Sequence, residues 1–210
     1  MVPIPDYLAH ISIHDKSKDN LTTFSLRCPC GNNTFFFYEN VLTPEEKKEI
    51  RPYYDALYYL YGRDGYGSRM TVDENGTRHL WKLLNRDGSE KEEVFLPPKP
   101  FYAGVIVIKV KCASCGQEHI LFDSRIHGYD GMTSEKEPDV LAYKPLFKQK
   151  GSQSYRIIIK IENDPSYEEF NSQSGLAFDE QQYSDSFSWI VVYGIDCGGK
   201  KKKLFDCETA

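Results

Sequence analysis

The chain alternates short apolar runs with polar and turn residues, and this pattern predicts a structure built mainly from β-strands. Each run is only a few residues long, is rich in β-branched or aromatic side chains, and is bounded by turn residues. The strongest strand candidates are residues 24–28, 34–38, 105–111, 119–122, 156–161 and 189–195. Nearly continuous apolar stretches at 105–108, 157–159 and 190–192 predict central strands that are covered on both faces.

The clearest helical signal begins at Thr43. The segment Thr43-Pro-Glu-Glu46 offers an N-cap hydroxyl, a proline at the first helical position and a glutamate at the capping-box position. Pro52 predicts an interruption, because proline lacks the N–H that a continuing helix uses. Beyond it, a second helical segment that Gly62 can end carries a stripe at helical spacing, namely Tyr54, Leu57, Tyr58 and Tyr61. We expect most of this stripe to lie in the core.

A β-meander is predicted after Gly67. Its strands are expected at 69–73, 77–84 and 92–96, joined by an Asn-Gly turn at 74–76 and an Asp-Gly turn at 86–88. A stiff proline-rich connector at 97–100 then returns the chain to the strand at 105.

Together these signals predict an α+β fold that is mainly antiparallel β, with a zinc-ribbon-like clip. The chain has 210 residues, of which 40% are hydrophobic and 27% charged, as in an ordinary globular protein with a sizeable core. We expect a single domain over 1–210, with a helix-plus-meander insertion at 40–100.

The clip is predicted from two cysteine pairs with the same local pattern of strand, two cysteines, glycine and strand. They are Cys28-Pro-Cys30-Gly31 and Cys112-Ala-Ser-Cys115-Gly116. Glycine permits the tight turn that points backbone N–H groups at the thiolates. Two such turns facing each other supply four thiolates in the closed geometry of a structural zinc site.

This arrangement resembles the zinc-ribbon family, in which two such turns at the tips of β-hairpins share one zinc ion. The resemblance covers only the two turns and their flanking strands, and it implies a zinc ion held by Cys28, Cys30, Cys112 and Cys115. The chain departs from the family pattern in its first pair, which is C-x-C, and in the 81 residues between the pairs. That gap is tolerable because loop-closure entropy rises only logarithmically with length. His119 replacing one thiolate, or Cys197 joining the site, is left open.

The net charge and the cysteine usage limit which classes of partner and which cellular compartment the sequence favours. The formal net charge of −5 disfavours broad contact with a phosphate backbone, although the four lysines at 200–203 form a local exception that we expect to be solvated. The acidic stretch 162–185 is likewise expected to be a solvated loop. No signal peptide or membrane span is predicted, which favours a cytoplasmic protein in which Cys197 and Cys207 are free thiols.

Two constellations with catalytic potential are present. Residues 194–201 match G-x-x-x-x-G-K, but lysine follows where Mg²⁺ needs serine or threonine, so we interpret the match as chance. Asp123, His127 and Asp130 lie within eight residues and can orient a general base or hold a second metal ion. Because Gly128 and Gly131 mark turns in this loop, structural use of its side chains is favoured.

The leading functional hypothesis is a non-enzymatic, zinc-stabilised module that binds another protein, as an adaptor or a toxin-neutralising partner does. It follows from the lack of catalytic motifs and from an acidic chain rich in tyrosine. The alternatives are a metal-dependent hydrolase that uses Asp123, His127 and Asp130, and a nucleic-acid-binding zinc ribbon.

Overall fold

The computed structural model describes residues 4–18, 20–62, 68–72, 79–85, 87–97, 99–133, 136–163 and 180–209. The chain forms two compact units, Met1–Val41 with Val105–Ala210, and Leu42–Gly104. We call them unit 1 and unit 2. All described strand pairs are antiparallel, so the prediction of a mainly antiparallel β fold with some helix is confirmed. That residues 1–210 fold as a single domain stays a prediction.

In chain order the described elements are α1 (Asp6–Ala9), β1 (Ser12–Lys18), β2 (Leu21–Leu26), β3 (Thr34–Val41), α2 (Pro44–Gly62), β4 (Ser68–Val72), β5 (His79–Leu84), β6 (Glu90–Leu96), a 3₁₀ turn (Phe101–Gly104), β7 (Val107–Cys112), β8 (Glu118–Asp123), α3 (Gly128–Thr133), α4 (Pro138–Ala142), β9 (Leu146–Gln149), β10 (Tyr155–Glu162), α5 (Glu180–Asp185), β11 (Trp189–Ile195) and β12 (Lys201–Glu208).

Strand β10 organises the sheet of unit 1. One edge of β10 pairs with β11, which in turn pairs with β12. Its other edge pairs first with the start of β3, at Tyr155 and Arg156, and then with β2 from Ile158 onward. The sheet extends from β2 to β1, and from β3 to β7, β8 and β9.

The core of unit 1 lies on one face of this sheet, which we call the inner face. Along β2 buried residues alternate with half-exposed ones, so that Phe24 and Leu26 point inward. Large buried side chains on neighbouring strands complete the core, including Phe35, Phe37, Phe122 and Ile159. This arrangement places the turns that carry the cysteines at the end of the sheet.

The predicted coverage of the central strands is correct for β11 and wrong for β10. Ile190, Val191 and Val192 are all fully buried. In β10, by contrast, Ile157 and Ile159 are buried while Ile158 is half-exposed. Its second face, which we call the outer face, is therefore partly open, because adjacent residues of a strand point to opposite sides.

The helix of unit 2 begins at the predicted capping box. The Glu46 backbone N–H donates to Thr43 Oγ1 at 3.1 Å, and the Thr43 N–H donates to Glu46 Oε2 at 2.6 Å. The predicted interruption at Pro52 is wrong, because α2 continues through it to Gly62. Pro52 and Lys48 are both exposed, so water can bond the Lys48 carbonyl that the missing N–H leaves without a helical partner.

The tyrosine stripe of α2 is not a core stripe. Tyr54 is 48% exposed and Tyr58 is 80% exposed, whereas Ile50 is buried. Tyr53 and Leu57, three and seven residues after Ile50, are half-buried. Of the predicted stripe Leu57 therefore faces inward, and Tyr53, which was expected to point elsewhere, lies on the same face. The stripe was predicted wrongly because the residues after Pro52 were treated as a separate helix. α2 is continuous, so its buried face is the one that already carries Ile50 before Pro52. The side chain of Tyr61 lies outside the described residues.

The predicted meander is present as the three-stranded sheet β4–β5–β6. At the turn between β5 and β6, Gly88 has a φ of 80° and donates its N–H to the Asn85 carbonyl at 3.0 Å. The predicted Asn-Gly turn at 74–76 lies outside the described residues.

Candidate metal centre

The first cysteine loop projects from one side of β10. Because β2 and β3 are both antiparallel to the same edge of β10, they run in the same direction, one after the other. Ser25 pairs with Ile158, and Thr34 pairs with Arg156. Ser25 and Thr34 are nine residues apart in the chain, but their partners on β10 are only two residues apart. The extra residues loop out from the sheet and carry Cys28 and Cys30.

The second cysteine loop is a hairpin turn. Strands β7 and β8 pair with each other, with Lys111 opposite Glu118. Cys112 is the last residue of β7, and Cys115 lies in the turn. Only this second loop has the hairpin setting that the resemblance implies; the first loop does not, because β10 occupies the edge of β2 that faces away from β1.

Both loops nevertheless close with the same hydrogen bonds. Gly31 donates its N–H to the Cys28 carbonyl at 2.8 Å, and Gly116 donates to the Cys112 carbonyl at 3.0 Å. In each loop the N–H of the first cysteine donates at 2.8 Å to the carbonyl of the residue after the glycine. The glycines have φ values of 90° and 76°, a region that residues with a Cβ rarely adopt. The C-x-C pair thus forms the same kind of turn as the C-x-x-C pair.

These turns bring the four thiols together. The Sγ atoms of Cys28 and Cys115 are 3.5 Å apart, those of Cys30 and Cys112 are 3.6 Å apart, and all four lie within 4.8 Å of one another. A tetrahedral site with metal–sulfur bonds of about 2.3 Å places its sulfurs about 3.8 Å apart. The spacing fits such a site and is too long for a disulfide bond. Among the described residues, these cysteines are the one group of three or more potential ligands placed to share a metal ion.

Protein contacts hold the two loops together independently of any metal. The Ala113 N–H donates to the Thr34 carbonyl at 3.0 Å, which ties the second loop to the start of β3. The Asn32 amide donates to Cys112 Sγ at 3.4 Å, and the Gln117 amide oxygen lies 3.9 Å from Cys28 Sγ. Each loop therefore places an amide side chain against the first cysteine of the other loop. Such outer contacts orient ligands in a metal site.

The pKa values of the cysteine thiols bear on whether the cluster can bind a cation. Burial raises the pKa of Cys112, but the Cys115 N–H, the Asn32 amide and the Ser114 N–H donate to its sulfur and lower that pKa to about 6. Burial, together with the neighbouring cysteine thiols, raises the pKa of Cys28 to about 12. The surroundings therefore shift the pKa values of these two thiols in opposite directions. A divalent cation removes this conflict, because it stabilises all four thiolates at once.

The two alternative ligands lie outside the four-sulfur group. His119 is buried on β8, with its Nε2 4.0 Å from Cys28 Sγ and its Nδ1 3.4 Å from His10 Nε2. It therefore lies beside one sulfur. Cys197 is exposed in the turn between β11 and β12, and it is not part of the group.

Asp123 and His127 are engaged in contacts within residues 123–127, whereas Asp130 lies in α3, so the predicted turn at Gly128 and Gly131 is helical instead. The Asp123 carboxylate binds the Arg125 guanidinium through two bonds, Oδ1 to Nε at 2.8 Å and Oδ2 to an Nη atom at 2.6 Å. His127 Nδ1 accepts the Asp123 backbone N–H at 3.0 Å, and its ring stacks on Tyr7 with centroids 3.6 Å apart. The Asp130 side chain is exposed, and its N–H donates to the Thr209 carbonyl.

Comparisons of the chain with protein-family models, with curated proteins and with solved structures found no match. Among the described residues, no helix is both long enough and apolar enough to cross a membrane.

Sequence reasoning found the four cysteines but missed the amides that contact them. Asn32 and Gln117 each follow the glycine of a cysteine loop, so the repeated pattern Cys-Gly-amide was a usable signal. His10 had no such signal, since it reaches the site only through the packing of α1 against the sheet.

Proposed function

We propose that Cys28, Cys30, Cys112 and Cys115 bind one structural zinc ion, and that the chain is a non-enzymatic module that binds another protein. The observation that carries the proposal is the convergence of four thiols within 4.8 Å, from two loops far apart in sequence. Four thiolates in tetrahedral array are the ligand set of structural zinc sites, in the manner of a zinc ribbon. The site has no position left for water or substrate, which catalytic zinc requires.

The contacts of Asp123 and His127 favour this proposal over the hydrolase alternative. The Asp123 carboxylate is neutralised by Arg125 in a bidentate ion pair, with the two side chains 9% and 13% exposed. His127 uses Nδ1 to accept a backbone N–H, and this fixes its ring against Tyr7. These contacts stabilise residues 123–127, and among the described residues Asp123, His127 and Asp130 are not placed to share a metal ion.

The exposed aromatic residues of unit 2 favour a protein partner. Tyr54 and Tyr58 lie one helical turn apart on α2, and both are exposed. Tyrosine is enriched at protein interfaces because a large ring with a polar tip buries much area at little cost in side-chain entropy. The net charge of −5 argues against nucleic acid as the principal partner.

The proposal is tested by metal analysis and partner capture on the same preparation. We expect purified protein to contain one zinc ion per chain, and zinc-loaded protein immobilised on beads to retain a specific protein from native lysate. Protein stripped by a chelator is the matched control and should retain less of that protein. A metal-free protein with unchanged stability contradicts the zinc assignment, and specific turnover of a hydrolysable substrate contradicts the binding role.

A further inference from the structure

A depression opens on the outer face of the unit 1 sheet and has a volume of about 240 Å³. Four isoleucines line it: Ile13 on β1, Ile157 and Ile158 on β10, and Ile195 at the end of β11. Their positions follow from the strand register, since Ile13 pairs with Ser25, which pairs with Ile158 on its other side. Ile13 is 40% exposed, so the apolar wall of the depression is accessible.

Two arginines and an amide complete the wall. Arg27, Asn33 and Arg156 line the depression and are exposed. The ion pairs found among the described residues use other cations, so neither arginine is neutralised by a described carboxylate. Guanidinium groups bind carboxylates through two parallel hydrogen bonds. The depression therefore combines an aliphatic pocket with two available carboxylate-binding groups.

The cysteine site positions part of this wall. Arg27 directly precedes Cys28, and Asn33 lies at the other end of the same loop. Arg156 is held separately, by its pairing with Thr34 and Ile195. Zinc bound by the cysteines would fix the loop that carries Arg27 and Asn33. Binding at the depression would thereby be coupled to zinc.

We propose that this depression binds an acidic segment of the partner protein, with an aliphatic side chain among the isoleucines and flanking carboxylates on Arg27 and Arg156. The proposal rests on the proposed function, since it names the chemistry of the protein partner. Apolar burial supplies affinity, and the two bidentate contacts fix the register of the segment.

The same features argue against a single-stranded nucleic acid. Such ligands stack bases on aromatic rings, and the aromatic residue on this part of the outer face is Tyr193. Lys201 Nζ lies 3.9 Å from the centroid of the Tyr193 ring, so that ring face already has a cationic partner. The apolar side chains that line the depression are all aliphatic, and aliphatic groups suit a leucine or isoleucine better than a base.

The test uses the zinc-loaded full chain and a fluorescein-labelled synthetic peptide in which Asp and Glu alternate with Leu. Binding is measured by fluorescence anisotropy. Arg156→Glu should weaken binding about tenfold or more, because it replaces a charge-assisted bond by repulsion. The matched control is Lys148→Glu, an equal charge reversal at an exposed residue of the same unit outside the depression, and it should bind as the wild type does.

Two further measurements separate the pocket from general electrostatics. Ile13→Ser should weaken binding of the peptide without altering zinc content. A peptide with Ser in place of Leu should bind less well than the original to the wild type. Equal binding by wild type and Arg156→Glu overturns the proposal. So does the lack of any binding, or binding of labelled oligothymidine in preference to the acidic peptide.

Failure of this proposal and failure of the proposed function give different results. If Arg156→Glu still captures the same lysate protein as the wild type, the partner docks elsewhere. In that case only the assignment of the depression as the binding site is wrong. If the wild type captures nothing while its zinc site is loaded, the binding role itself is wrong.

Discussion

The two amides that cross between the cysteine loops show how single residues prepare the site. Asn32 belongs to the first loop and contacts Cys112, whereas Gln117 belongs to the second loop and approaches Cys28. Each amide therefore shields a sulfur that its own loop does not carry. This reciprocal arrangement gives both C-x-C and C-x-x-C turns comparable outer contacts, despite their different lengths.

Replacing one ligand tests the zinc site most directly. Cys112→Ser should lower both the zinc content and the melting temperature, because the binding energy of a structural metal is also folding energy. Zinc is measured by mass spectrometry of the metal, and unfolding by calorimetry. An unchanged melting temperature in a variant that has lost its zinc would show that the site does not stabilise the fold.

The remaining cysteines provide the matched comparison. Cys197→Ser and Cys207→Ser should leave the zinc content unchanged, because neither residue belongs to the four-sulfur group. Cys197 is exposed in a turn, and Cys207 donates its thiol to the Glu208 carbonyl. A clear fall in bound zinc in either variant means that the ligand set has been assigned incorrectly.

His127 predicts a pH dependence of stability. Burial lowers its pKa from 6.5 to about 4, although Asp123 opposes that shift. Below pH 6.5 the unfolded chain takes up a proton at this residue that the folded chain does not. Stability should therefore fall as the pH drops from 6.5 to about 4 and then level off, by up to about 3 kcal/mol for this residue.

The control for that prediction is His127→Gln, which can still accept the Asp123 N–H but does not titrate. The difference in free energy of unfolding between wild type and variant, followed by urea titration at several pH values, isolates His127 from loss of zinc in acid. A constant difference across this pH range contradicts the prediction. It would mean that the histidine is solvated and charged in the folded state.

At the level of residues, the sequence predicts which cysteines converge better than it predicts which residues form the depression. The cysteine loops are recognisable because glycine and paired cysteines lie within a few positions of each other. Arg27 and Arg156 are far apart in the chain and become neighbours only through the register of β2 and β3 on β10. No local pattern carries that register.

Among the elements, α2 begins at the predicted capping box and ends at Gly62, where the sequence allowed a helix to end, but it lacks the predicted interruption at Pro52. The Thr43–Glu46 capping box satisfies two backbone N–H groups that the first helical turn leaves unpaired. The position of Pro52 misled the prediction because the cost of a missing hydrogen bond depends on solvent exposure, which the sequence does not reveal locally. The same helix therefore continues through Pro52 to Gly62.

Removing the cap should destabilise this helix measurably. Thr43→Ala should lower the free energy of unfolding of unit 2 by about 1 kcal/mol, whereas Thr43→Ser should retain most of it. The matched control is Lys47→Ala, on the exposed surface of the same helix, which should have little effect. Helical circular dichroism during urea titration measures the change. Equal stability of Thr43→Ala and wild type contradicts a role for the cap.

Strands with apolar runs were predictable, and polar strands were not. The boundaries of β11 agree with the predicted 189–195, whereas β1, β9 and β12 carry no apolar run. β12 begins with three lysines that are exposed, as expected, yet its backbone pairs with β11 along its length, apart from a register shift between Val192 and Tyr193. Such strands form because a neighbouring strand offers its backbone for pairing, and not because of the hydrophobic pattern of their own side chains.

For the whole molecule, the long gap between the cysteine pairs has a structural explanation. β3 and β7, which directly precede and follow unit 2 in the chain, pair with each other. Asn40 bridges them, donating to the Val105 carbonyl at 2.8 Å and accepting the Val107 N–H at 2.9 Å. The two ends of unit 2 therefore connect to adjacent strands, so its length need not disturb the alignment of the cysteines.

This organisation predicts that zinc removal affects the two units differently. All four cysteines belong to unit 1, and the strands that carry or adjoin them are β2, β3, β7 and β8. Treatment with a chelator should raise amide hydrogen exchange at 34–41 and 107–112, because the loops that join these strands lose their common ligand. Exchange in α2 and in the β4–β5–β6 sheet should change much less, since each compact unit has its own internal hydrogen bonds. Protein reloaded with zinc is the control and should recover the original protection. Equal loss of protection in both units would show that they unfold as one cooperative body, and zinc would then stabilise the whole chain rather than unit 1.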